Sequence, residues 1–185
     1  MDAKRIFLRA FEMDDYILIS EWRSDPDVTV LLSGNVIFVS SEREKKWVED
    51  KIFDDTTSLY LAICLRENKE MIGYLSVNHI DLRNRKAEWA GLIIGRKDLW
   101  NKNYAKEATR LMLEHLFFQM NLHRIYAYVL EEHQASRRMM ERSGFELEGI
   151  LRDNIFKDNR YHNMAMYSLM KDGFETFIAR EQEHG

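Results

Sequence analysis

The sequence is poor in the residues that break, cross-link or anchor a chain. Pro26 is the only proline in 185 residues, so regular elements can run unbroken except near that point, where a helix is expected to end. Cys64 is the only cysteine. No disulfide framework can form within one chain, and a reducing compartment, the cytoplasm, is the expectation. Cys64 lies in the apolar run "SLYLAICL", where a buried, inert thiol is the ordinary reading and a nucleophile the exceptional one. No apolar run approaches ~18 residues, so no membrane-spanning helix is expected. The opening "MDAKRIFLRAF" has no apolar core of signal-peptide length and reads as a strand at once. Basic residues are not in excess: 27 Lys and Arg stand against 31 Asp and Glu, a formal charge of -4. That balance argues against a nucleic-acid partner. The six histidines, His79, His115, His123, His133, His162 and His184, make no ligand spacing with one another, with Cys64 or with a carboxylate cluster, so no metal is expected. Linkers, repeats and low-complexity segments are also missing. The expectation is one domain over residues 1–185, long enough to bury roughly 70% of its unfolded surface.

What is present alternates between two periods. "RIFLRAF" alternates as a first strand. "EMDDYILISEWRSDPDV" has helical spacing up to Pro26. "SSEREKKWVEDKIF" places Ser41 three residues before Glu44, a capping-box pattern that predicts a helix to about Phe53. "SLYLAICLREN" and "EMIGYLSVNHID" predict a hairpin around Asn68 and Lys69. "KAEWAGLIIG" predicts another strand, and a helix is predicted from about Tyr104 to Gln119. "HRIYAYVLE" reads as a strand. "QASRRMMERSGF" reads as a helix closed by Gly144. "FELEGILRDNIF" and "RYHNMAMYSLM" read as two strands around a "KDN" turn. A last helix is predicted from Asp172 to about Glu181. Hairpins and crossovers together imply a mixed sheet and an α/β or α+β class.

The stretch "DLWNKNYAKEATRLMLEHLF", Asp98 to Phe117, is the most informative. The first turn of a helix carries free N–H groups and the positive end of the dipole, and phosphates bind there. A loop that lets the backbone approach a phosphate is best built from glycine. Asparagine is the non-glycine residue that most readily visits the same left-handed region. "WNKNYA" is thus legible as a phosphate loop in which asparagines replace glycines and Lys102 adds a cation. The alternative is an ordinary polar cap or turn.

The surroundings of that loop resemble the GNAT acetyltransferase superfamily, and within it the RimJ/RimL-type branch. The resemblance rests on "AEWAGLIIGRKDLWNKNYAKEA", on "NLHRI" (Asn121 to Ile125) and on "ASRRMMERSGFELEGILRD", in that order. It covers nearly the whole chain. It implies a mixed, mostly antiparallel sheet of about seven strands with helices on both faces, whose fourth and fifth strands splay apart. It implies acetyl-CoA as cosubstrate, with the pyrophosphate near Asn101, Lys102, Asn103, Tyr104 and Ala105. The pantetheine would meet backbone groups of Leu92, Ile93 and Ile94. It implies direct acetyl transfer to a primary amine, either a small molecule or a peptide. A protein N-terminus is preferred, with a polyamine or an aminosugar nucleotide as the alternative. The protein is expected as a monomer or homodimer.

The chain departs from the pattern at several positions. Both glycines of the family loop are asparagines. The asparagine that usually opens the helix after the fifth strand and contacts the cofactor is His133. The tyrosine that protonates the departing thiolate is Met140, so Ser136, one helical turn earlier, becomes the candidate acid. These departures motivate a second reading of another class, a CoA-binding sensor or interaction module with little catalysis. An extra residue, Ala90, suggests a bulge after Trp89. Glu88 occupies the position of a general base acting through water; otherwise it is a surface glutamate paired with Arg85 or Lys86. Arg96 and Arg137 either meet cofactor phosphates or are solvated. Tyr104 either stacks locally or packs at the helix start. His79 either steers an amine or is structural. The acceptor side is expected around Trp22, Asp25, Asp27, Trp47, Glu49 and Asp50, where aromatics and carboxylates suit an ammonium group. The apolar loop "TVLLSGNVIFVSS" is expected either to cover that side or to join a dimer contact.

Overall fold

The alternating apolar residues at the start of the chain form strand β1, Ile6–Ala10. A 3-10 turn, Met13–Asp15, leads into helix α1, Tyr16–Ser24. Pro26 ends that helix as expected, then opens a further short one, α2, Pro26–Thr29, since proline suits a first helical position. Helix α3 spans Ser41–Phe53. Its cap is Ser40, whose hydroxyl accepts from the Arg43 amide at 3.3 Å. The predicted cap at Ser41 was therefore one residue late. There follow β2 (Leu59–Leu65), β3 (Met71–Asp81), β4 (Lys86–Ile94), a 3-10 turn (Lys97–Leu99) and α4 (Tyr104–Glu114). The predicted end at Gln119 is correct, but the last five residues, His115–Gln119, form a π turn. The remaining elements are β5 (Arg124–Leu130), α5 (Gln134–Arg142), β6 (Glu146–Lys157), β7 (Arg160–Met170) and α6 (Lys171–Glu183). Gly144, at φ 89°, follows α5 as the left-handed residue that ends it.

This computed structural model describes residues 5–29, 38–54 and 56–183. Residues 30–37 of the apolar loop, and His184, lie outside the described residues. No helix among the described residues is long and apolar enough to cross a membrane.

The strands form one seven-stranded sheet in the order β1-β2-β3-β4-β5-β7-β6. Strands β1 and β2, β2 and β3, β5 and β7, and β6 and β7 pair antiparallel. Strands β4 and β5 pair parallel, so the sheet is mixed, as the motifs imply. The parallel register runs from Lys86↔Arg124 to Trp89↔Ala127. Beyond it β4 continues to Ile94 and β5 to Leu130. Burial along β4 keeps its phase, with Ala87, Trp89 and Ile93 buried. The irregularity predicted at Ala90 appears instead as Gly91 at φ 144°.

The chain divides into two compact units. The first comprises the described residues up to Asn78 together with Ala90–Met112; the second comprises His79–Trp89 and the described residues from Leu113 onward. The core of the first gathers Phe11, Ile19, Trp22, Val48, Tyr74 and Ile93. Burial holds the Tyr74 hydroxyl up to about 12. Cys64 is fully buried, and burial pushes its thiol up, away from reactivity. In the second unit Phe117 stacks on Phe174, both fully buried, with centroids 5.2 Å apart. There Glu148 accepts both terminal nitrogens of Arg124 at 2.5 Å and the Ser168 hydroxyl at 2.6 Å. Those hydrogen bonds, Arg124 first, hold its carboxyl down to about 2.

Candidate active site

The loop before α4 has the conformation its asparagines suggest. Asn101 lies at φ 61° and Asn103 at φ 67°, both in the left-handed region that glycine would otherwise supply. The Asn103 carbonyl accepts the Glu107 amide at 3.0 Å. Asn103 therefore caps the helix, and the amides of Tyr104, Ala105 and Lys106 precede the first helical bond. Asn101, Lys102 and Asn103 are exposed, while Tyr104 and Ala105 are half-buried. The mouth of α4 thus presents amide hydrogens, the positive dipole end and a lysine together.

This mouth is braced from several sides. Glu107, in the first turn, accepts the amides of Arg5 at 2.7 Å and Ile6 at 3.2 Å, and the Arg5 Nε at 3.1 Å. The Arg5 guanidinium lies over the Tyr104 ring, 4.3 Å from its centroid. Tyr104 therefore stacks on a cation rather than filling a core. The Trp100 indole donates to the Ile94 carbonyl at 2.6 Å. That carbonyl is therefore engaged by the indole. Gly95 is required nearby, because a Cβ there would overlap the Trp22 indole. Arg96 is committed to carboxylates. It pairs with Glu70 and binds Asp98 through two 2.8 Å contacts. Asp98 first and Glu70 second hold its pKa above the ordinary value.

In the second unit, Glu88 is neither free nor paired with Arg85 or Lys86. Its Oε2 lies 2.7 Å from His79 Nδ1. Glu88 is mostly buried, its side chain 20% exposed, while the His79 ring is 74% exposed. His79 itself sits at φ 50°. Glu88 is opposite Tyr126 on β5, and burial first, then the Glu88 charge, raise the Tyr126 pKa. Arg85 instead binds the carbonyl and side-chain oxygens of Asn121, at 2.8 Å each. The pairing of His79 with Glu88 was not anticipated, though the signal was available. Asp81 and Lys86 bound a four-residue turn, and two steps outward along each strand reach His79 and Glu88.

At the start of α5, His133 Nδ1 accepts the Ser136 amide at 3.0 Å. His133 is thus the N-cap, and in its neutral form the ring proton sits on Nε2, which becomes a donor. Replacing His133 by alanine is expected to lower stability by about 1 kcal/mol, whereas asparagine, a strong cap, restores it; urea unfolding measures both. Ser136 is half-buried and its amide is used in this cap. Arg137 Nε donates to the Tyr167 hydroxyl at 3.0 Å, and one terminal nitrogen donates to the Glu131 carbonyl at 3.3 Å. The Tyr167 hydroxyl in turn donates to Glu141 at 3.0 Å. Arg137 is therefore a fixed cation rather than a solvated one, its pKa raised first by the Tyr167 hydrogen bond. Met140 is buried.

On the expected acceptor side, five carboxylates share three cations. Lys97 Nζ lies 2.7 Å from Asp25 and 2.8 Å from Asp27, and its hydrogen bond holds the Asp25 carboxyl below the usual range. Lys46 pairs with Glu49 and Asp50 at 2.9 Å each, and Arg23 with buried Glu44 at 3.0 Å. The Arg23 guanidinium also lies over Trp47, 4.7 Å from its ring. No group of three His, Cys, Asp or Glu able to hold a metal ion occurs among the described residues.

The site thus combines a mixed sheet with a parallel β4–β5 pair and a left-handed polar loop at the mouth of α4. Residues 5–146 match the family described as "Acetyltransferase (GNAT) domain". The chain is 31% identical to the uncharacterized N-acetyltransferase p20 of Bacillus licheniformis, over 91% of this chain and 94% of that one. It is 26% identical to the spermidine N(1)-acetyltransferase of Escherichia coli K12, over 60% of this chain and 58% of that one. The Vibrio cholerae spermidine N-acetyltransferase, solved with CoA and spermine, has the same fold. It superposes with a TM-score of 0.83 at 22% identity, covering 94% and 99% of the two chains. The chain belongs to the GNAT acetyltransferase family, and it is an acetyl-CoA-dependent N-acetyltransferase.

Proposed function

We propose that residues 1–185 act as one RimJ/RimL-type acetyltransferase domain on an acceptor carrying a single ammonium, with a protein N-terminal amine preferred. The observation that carries this reading is that Asp25, Asp27, Glu44, Glu49 and Asp50 each already have a cation partner, the five sharing Lys97, Arg23 and Lys46, so that little negative charge remains for an acceptor. A polyamine, with several cations, calls for several uncommitted carboxylates. A single amine needs fewer.

In this reading the pyrophosphate of acetyl-CoA sits on the amides of Asn101, Lys102, Asn103, Tyr104 and Ala105, beside Lys102. Backbone groups of Leu92, Ile93 and Ile94 hold the pantetheine arm. His133, through Nε2–H, and the fixed charge of Arg137 are the second unit's candidates for contacting the cofactor. The amine attacks the thioester carbonyl directly in a ternary complex, and Glu88 serves proton removal. Ser136 is the donor to the departing thiolate in place of Met140. The buried thiol of Cys64 suits a cytoplasmic setting, with the chain acting as a monomer or homodimer.

Polyamine acetylation is the second reading, favoured by the likeness to spermidine acetyltransferases. Free CoA release with peptides, spermidine, spermine and an aminosugar nucleotide separates the two. Peptides bearing a free α-amine are expected to have the highest kcat/KM; turnover of spermidine alone would reverse the preference.

A further inference from the structure

We infer that the proton of the acceptor amine is taken by His79, with Glu88 as the residue that positions it. This rests on the reading of Glu88 as part of the base and gives that base a second member. The pair spans 2.7 Å between His79 Nδ1 and Glu88 Oε2. A carboxylate accepts only, so the neutral imidazole must carry its proton on Nδ1 and donate it to Glu88. The Nε2 lone pair is then directed away from Glu88, on a ring that is 74% exposed. That arrangement leaves one basic nitrogen open to a ligand and fixes the ring tautomer.

The choice between the two groups follows from their exposure, since the His79 ring is 74% exposed and Glu88 only 20%. The backbone at this position is one of nine positive-φ non-glycine sites among the described residues. His79 occupies the left-handed region at φ 50° near the end of β3, a conformation that non-glycine residues adopt rarely and that concentrates at functional sites. Glu88 precedes Trp89, where the parallel register of β4 and β5 ends.

Other charged or titratable groups at this corner are committed or titrate elsewhere. Tyr126 and Tyr128 of β5 form an edge-on pair with centroids 5.8 Å apart, and Tyr126 is pushed upward in pKa. Asp81 is held low by Asn84, with Lys86 a weaker contributor. Arg124 is paired with Glu148.

Neutral His79 Nε2 takes one proton from the ammonium, giving a free amine and an imidazolium. The amine nitrogen forms the C–N bond to the thioester carbonyl carbon, and the C–S bond breaks to release the thiolate. The second nitrogen proton ends on the thiolate sulfur, and the imidazolium returns its proton to solvent.

The test is the pH profile of kcat/KM for wild type, His79→Asn and Glu88→Gln, with acetyl-CoA affinity and Tm measured alongside. Asparagine tolerates the left-handed backbone, and His79→Gly, which also tolerates it, serves as a second variant. Wild type is expected to gain activity as pH rises and the base loses its proton. Both His79 variants are expected to lose that limb and to fall about 100-fold at pH 8, with acetyl-CoA affinity unchanged. Glu88→Gln should keep a rising limb at a reduced rate, because His79 retains its basic nitrogen while the carboxylate that orients its ring is lost. His79 variants that retain the wild-type rate and limb would overturn the inference. If Glu88→Gln alone then lost activity, Glu88 would stand as the base by itself. If it too were unaffected, the Glu88 reading would fall as well.

Discussion

Acetyl-CoA affinity is expected to fall about 30-fold or more when Asn101 and Asn103 are both replaced by valine. The reason is local. Both residues hold positive φ, 61° and 67°, and a β-branched side chain is a poor fit there. The left-handed conformation costs roughly 1–2 kcal/mol for each such residue, and 1.4 kcal/mol corresponds to about a factor of ten. A loop that relaxes to avoid this cost withdraws its amides from the helix mouth. Replacement by glycine tests the converse, since glycine reaches the same region freely. Asn101→Gly with Asn103→Gly should bind acetyl-CoA at least as well as wild type. Titration calorimetry of the three proteins measures the difference. Equal affinity in the valine variant would show that the loop conformation is irrelevant to binding.

The second large effect concerns the strand that leads to this loop. Gly73 on β3 faces the backbone of β4, and a Cβ there would overlap the Ile93 carbonyl oxygen, with Ile93 C and Ile94 Cα at 3.0 Å. The neighbouring atoms are backbone, so no side chain can swing aside. Gly73→Ala is expected to lower stability by about 1–3 kcal/mol. It should also raise the KM for acetyl-CoA, because the displaced residues are those assigned to the pantetheine arm. Gly149→Ala is the control, since a Cβ on Gly149 meets nothing within 4 Å. Urea unfolding and steady-state kinetics of the two variants distinguish a specific clash from the general effect of a methyl group.

Much of the fold was legible in the residues, for identifiable reasons. Strands with strict alternation, such as Ile6–Ala10, and the hairpin around Asn68 and Lys69 follow from period and turn chemistry. The two asparagines announced their own backbone conformation by residue type. What was not legible depended on contacts distant in sequence. The commitment of Arg96 to Glu70 and of Asp25 and Asp27 to Lys97 changes which charges remain for a ligand, and no local pattern encodes either. Arg137 acquires its fixed position from Tyr167, thirty residues away. The cap of α3 moved by one residue because Ser40 and Ser41 are chemically equivalent until the backbone chooses between them. The π turn at His115–Gln119 leaves the apolar spacing of a helix almost unchanged, so periodicity does not reveal it.

Backbone amide NMR during titration with acetyl-CoA, and separately with pantetheine, tests the central claim most directly. Saturable acetyl-CoA binding should shift the amides of Asn101 to Ala105, whereas pantetheine, which lacks the pyrophosphate, should leave them in place. Unmoved amides at those five positions under saturating acetyl-CoA would contradict the account.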